Sequence, residues 1–150
     1  MAERLRLEAR EEGDVTVLSA LVQDAAVRVA DLAYDRPARR FAAMMNRFRW
    51  EREARPKGLF RRAVPERVRS VLRFDFVDGV HVQGIDLKKA DTVLELLALE
   101  LAGGDDGAAA LTLVFAGGAA IRLNLECIEG VLEDLTAPWP ARRRPAHPAP

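Results

Sequence analysis

The stretch that decides the fold is Leu111-Thr-Leu-Val-Phe-Ala-Gly-Gly-Ala-Ala-Ile-Arg-Leu-Asn-Leu-Glu-Cys-Ile-Glu-Gly-Val-Leu-Glu-Asp-Leu135. Its first half reads as a hairpin. Ala110 to Phe115 is apolar and β-branched, Gly117-Gly118 supplies the turn, and Ala120 to Glu126 returns with Ile121, Leu123 and Leu125 on one face. Its second half changes period. Cys127, Ile128, Val131, Leu132 and Leu135 recur at helical spacing, which predicts a closing amphipathic helix stopped by Pro138.

Working outward, the same signals recur. Asp78-Gly79 is the sharpest two-residue hairpin dipeptide, predicted to join a strand at Arg67 to Phe76 with one at Val80 to Ile85. Gly103 to Gly107 reads as another loop before Ala110. Thr92 to Leu101 is open. Leucine, alanine and glutamate favour helix there, whereas the flanks favour strand. Upstream, Leu5 to Arg10 alternates as a short strand, and Asp14 is a helix N-cap for Val15 to Ala25. Ala26 to Tyr34 is a strand, Asp35-Arg36-Pro37-Ala38 a turn, and Arg40 to Glu51 a long strand. In that long strand Ala42, Met44, Phe48 and Trp50 share one face, and Arg47, Arg49 and Glu51 share the other.

The expected fold is therefore α+β. A mainly antiparallel sheet of about seven strands forms a pleckstrin-homology-like barrel or sandwich, with an N-terminal helix and a C-terminal helix capping its open end. Were Thr92 to Leu101 a helix, an open α+β sheet would result. Residues 1–137 form one domain, and the tail 138–150, with its prolines and three arginines, is expected to be disordered.

Four strings, LSALVQDAAVRVADLAY (Leu18 to Tyr34), RRFAAMMNRFRWE (Arg39 to Glu51), LVFAGGAAIRLNLECIE (Leu113 to Glu129) and PWPARRRPAH (Pro138 to His147), resemble a family of small uncharacterised alphaproteobacterial proteins. That family carries only a domain-of-unknown-function label. The resemblance runs over essentially the whole chain. It implies a bacterial, cytoplasmic protein and brings no activity, cofactor or functional residue.

Composition bounds the chemistry. The chain has 150 residues, no net charge and one cysteine, Cys127, so no intramolecular disulfide can form and a reducing cytoplasm is expected. No run approaches the apolar length of a membrane span, and membrane partners are not expected. Only Ser19, Ser70, His81 and His147 could supply a serine or histidine to catalysis. Ser19 falls inside the first helix and His147 in the tail, and His81 reads as a packing histidine beside Phe74 and Phe76. Cys127 reads as a buried, inert thiol. Gly104-Asp105-Asp106-Gly107 lacks the ligand spacing of a calcium loop, so no metal, no cofactor and no catalytic residue are expected.

The charge is unevenly spread. Met1 to Asp35 carries −4, Arg36 to Arg73 carries +10, Phe74 to Leu135 carries −9 and the tail +3. The candidate contact residues lie in the basic stretch: Arg47, Arg49, Trp50, Arg52, Arg55, Lys57, Arg61 and Arg62, with Phe60, Arg67, Arg69 and Arg73 alongside. Arginines interleaved with aromatics can hold phosphates and stack bases. Equally, the acidic half of the chain can neutralise them, within one molecule or across a dimer. The leading reading is a non-catalytic protein-interaction or homo-oligomeric module. The second is an anion-binding module for nucleic acid or phosphate. The third is an enzyme of unrecognised type.

Overall fold

A computed structural model describes residues 4–53, 66–103 and 107–141. The elements in chain order are β1 (Arg6–Ala9), α1 (Glu12–Val22), β2 (Ala25–Arg28), β3 (Leu32–Asp35), β4 (Arg40–Phe48), α2 (Trp50–Glu53), β5 (Glu66–Phe74), β6 (Val77–Gln83), β7 (Val93–Gly103), β8 (Ala109–Phe115), β9 (Ala120–Leu125), β10 (Gly130–Asp134) and β11 (Trp139–Pro140). Short 3-10 turns separate β2 from β3 and β8 from β9.

All pairings are antiparallel and run in one open path, β1-β10-β5-β4-β2-β7-β8-β9-β6, with β3 added to β4 and β11 to β5. Two half-sheets meet at β2, which touches β4 only through Ala26 and Asn46 but pairs with β7 over its full length. Their inner faces close on one core containing Phe41, Met45, Leu72 and Phe74 from one half and Leu96, Leu113, Ile121 and Leu123 from the other. Helix α1 adds Val15, Leu18 and Val22 at helical spacing. Its start is a capping box in which Glu11 is the N-cap and Asp14, expected there, sits at N3 and accepts from the Glu11 and Arg10 amides.

The pleckstrin-like layout is overturned. Among the described residues the sheet is open and eleven-stranded, and no C-terminal helix caps it. The residues predicted to be that helix form β10. Its helical spacing arose because a strand covered on both faces buries consecutive residues: Gly130, Leu132 and Asp134 face inward, and Val131 is buried on the other side, while Leu135 is largely exposed. Gly130 is fixed by packing, since a Cβ there would lie 2.5 Å from a ring carbon of Phe74.

The Asp78-Gly79 hairpin is also overturned. β5 and β6 do not pair; β6 pairs with β9, and Asp78-Gly79 is a bulge inside that ladder. Arg39 explains this, because its guanidinium takes the Asp78 carboxylate (2.6 Å) and Glu126 (3.2 Å), so Asp78 is drawn across the fold. His81 accordingly lies exposed on β6, opposite Arg122 and 3.2 Å from the Asn124 amide, not beside Phe74. The Gly117-Gly118 turn does join paired strands, with both glycines at positive φ. The ambiguous stretch is strand from Val93 onward, within β7, and Thr92 lies just before it. Ala26 to Tyr34 is broken by the turn at Val29–Asp31, which lets β2 leave β4 for β7.

Candidate functional site

The inward face of β4 carries the odd residues Phe41, Ala43, Met45 and Arg47, so the expected face is inverted. Arg47 is wholly buried, and each guanidinium nitrogen has an acceptor. Nε donates to Ser70 Oγ (3.1 Å) and Asp134 Oδ1 (3.2 Å), Nη1 to the Phe48 carbonyl (3.0 Å) and Glu51 Oε1 (2.9 Å), and Nη2 to Glu51 Oε2 (2.9 Å) and Asp134 Oδ1 (2.9 Å). Ser70 Oγ donates to Asp134 Oδ1 (2.7 Å), and the Leu5 amide donates to Asp134 Oδ2 (3.1 Å). Burial pushes the Glu51 carboxyl up, but the hydrogen bonds and charge of Arg47 outweigh that and hold it below the usual range. Burial likewise opposes the Arg47 charge, and Glu51 and Asp134 overcome it. The network is buried, and the guanidinium donors are taken by groups of the fold. It ties α2, β4, β5, β10 and the N-terminal strand together.

Arg49 is similarly engaged, donating to Glu66 Oε1 at 2.8 Å. Arg40 pairs with Asp75 (2.7 Å) and Arg69 with Asp31 (3.0 Å). Much of the basic stretch is thus neutralised within one molecule. Of the remaining candidate residues, Trp50 is placed by its ring N–H, which donates to the Gln23 carbonyl (2.8 Å). Arg52 lies in α2, and Arg55, Lys57, Arg61 and Arg62 lie outside the described residues, as do Phe60 and the Asp105-Asp106 pair.

The outward face of the same strands is different. Phe48 on β4, Arg67 on β5 and Trp139 on β11 are direct cross-strand partners and form one row. The Arg67 guanidinium lies 3.9 Å from the Phe48 ring centroid, and Trp50 tilts against Phe48 at 5.7 Å. Among the described residues Arg67 makes one hydrogen bond, from Nη1 to the Asn46 carbonyl (2.8 Å). Burial lowers its pKa, and Asp24 acts in the opposite sense. Trp139 is 36% exposed. Pro138 and Pro140 flank it, and the proline that follows restricts it to extended backbone, which suits a strand. Beyond Arg67 the surface opens into a groove of about 350 Å³ lined by Asp24, Ala25, Ala26, Val93, Leu94 and Glu95.

Of the residues at this corner, the candidate set named from the sequence held Trp50 but not Phe48, Arg67 or Trp139. The Pro-Trp-Pro triplet, an aromatic held extended, was the available signal. Both tryptophans of the chain fall at this corner. The segment 54–65 also joins the body here, because it runs from the end of α2 to Glu66, the register partner of Pro140.

The other reactive side chains serve the fold. Ser19 Oγ accepts from the Leu99 amide (2.9 Å), and Ser70 is sealed in the Arg47 network. Cys127 sits in a bend between β9 and β10, where burial and the Glu126 and Glu129 carboxylates hold its thiol above the usual range. Among the described residues no cluster of His, Cys, Asp and Glu could hold a metal ion, and no helix is long and apolar enough to cross a membrane.

A family model described as a protein of unknown function, DUF2948, matches residues 5–147. No curated protein and no solved structure matches the chain.

Proposed function

The chain belongs to the DUF2948 family, whose description assigns no activity, and from its own residues we propose a non-catalytic binding module for an anionic ligand. The observation that carries this is the Trp139–Arg67–Phe48 row at the corner where two basic segments join the body. Residues 54–65 hold Arg55, Lys57, Arg61 and Arg62 with no acidic residue, and Arg142, Arg143 and Arg144 follow directly after Ala141. These seven basic residues, with no acidic residue in either segment, supply positive charge that attracts anions. The single cysteine fits a cytoplasmic setting.

The test is a titration with heparin across a salt series. Binding should weaken steeply as salt rises. Changing Arg52, Arg55, Arg61 and Arg62 together to Ser should abolish it without altering the melting temperature by more than a few degrees. A heparin affinity unchanged in that variant would defeat the proposal.

A second reading, a homo-oligomeric or protein-interaction module, is favoured by the unpaired edge of β6, where Val82 stays 39% exposed on the side that faces the core. Light scattering decides it: a dimer that Val82→Lys dissociates would support this reading.

A further inference from the structure

We infer that the ligand of this corner is single-stranded nucleic acid, with an unpaired base stacked on Trp139 and a phosphate held by Arg67; the inference rests on the anion-binding reading above. Three features favour a base over a bare anion. First, Trp139 presents ring surface on a sheet face in a backbone restricted by Pro140, so little entropy is lost when a planar group stacks on it. Second, its cross-strand partner is a guanidinium, which can contact a phosphate while its plane stays stacked on Phe48. Third, the next outward residue along β5, Arg69, is already paired with Asp31 (3.0 Å), so the row offers one guanidinium beside one aromatic, which suits a nucleotide better than a bare polyanion.

A duplex keeps its base faces stacked inside the helix and offers none to Trp139, so single strands should be preferred over a duplex of the same length.

The experiment uses the full chain with four probes: dye-labelled dT12, the dT12·dA12 duplex, heparin and polyglutamate. Because both tryptophans lie at the corner, dT12 should quench the intrinsic fluorescence. Trp139→Ala should weaken dT12 binding about five- to 100-fold, the range that loss of one base–aromatic stack gives, and change heparin binding less than twofold. Trp139→Phe should restore most of the loss, and melting curves of both variants show whether they are folded. Heparin binding with an unchanged dT12 affinity in Trp139→Ala would overturn the stacking inference and leave the anion site standing. Duplex bound as tightly as single strand would also overturn it, as would polyglutamate bound more tightly than dT12. No binding of any probe would remove both readings.

Discussion

Arg47 and Arg67 come from the same basic stretch and stand on adjacent strands, one register position apart, yet they have opposite fates. Arg47 points inward, where Asp134, Ser70 and Glu51 consume its donors. Arg67 points outward, between the aromatic rings of Phe48 and Trp139, and makes one hydrogen bond among the described residues. What separates them is which groups lie within reach of each guanidinium. An arginine opposite carboxylates in a dry core is structural, because its charge must be satisfied where it lies. Arg67 lies half-buried over the buried Phe48 ring, where its guanidinium meets a π face and a backbone carbonyl.

The largest expected effect breaks the inner half of this comparison. Arg47→Met strands Asp134 and should cost about 3–5 kcal/mol in urea unfolding, as removal of one partner of a buried pair does. Arg67→Gln should cost about 1 kcal/mol, between the exposed and the desolvated scale of a cation–π contact. Equal losses would erase the distinction.

Next in size, Gly130→Ala should cost about 1–3 kcal/mol, because the added methyl enters the space of the Phe74 ring on the inner face. A neutral result would mean that β10 is not seated as described.

A smaller, pH-dependent effect concerns Glu51. Its folded-state pKa lies below the unfolded value, so its contribution is present above the ordinary glutamate range and is lost as pH falls through the folded value. The stability gap between wild type and Glu51→Gln should therefore be widest near neutrality and narrow below about pH 4. A gap independent of pH would detach Glu51 from Arg47. Smallest of all, Cys127→Ser should shift stability by less than about 0.5 kcal/mol, since the thiol occupies a bend outside the core cluster.

Local signals carried much of this fold. The Gly117-Gly118 hairpin, the alternation in β1 and the apolar stripe of α1 were legible because each depends on neighbours in sequence. The misreadings share a cause, which is that a distant partner decided the outcome. Arg47 reversed the expected face of β4 because Asp134, 87 residues away, makes an inward arginine tolerable. Arg39 turned an ideal hairpin dipeptide into a bulge. Phe74 and the cover on Val131 made a strand of residues spaced like a helix. The site was half legible for the same reason. The basic run stood out, but the row that would use it needs Trp139, which only the pairing of β11 with β5 brings to Arg67.

The most direct test of the account is the dT12 dissociation constant of Arg67→Gln, measured beside wild type at one ionic strength, with the melting temperature of the same samples. The expected result is an affinity weaker by about tenfold, as loss of a charge-assisted phosphate contact gives, and a melting temperature within about 4 °C of wild type. An unchanged affinity, or a collapse in melting temperature like that expected for Arg47→Met, would contradict it.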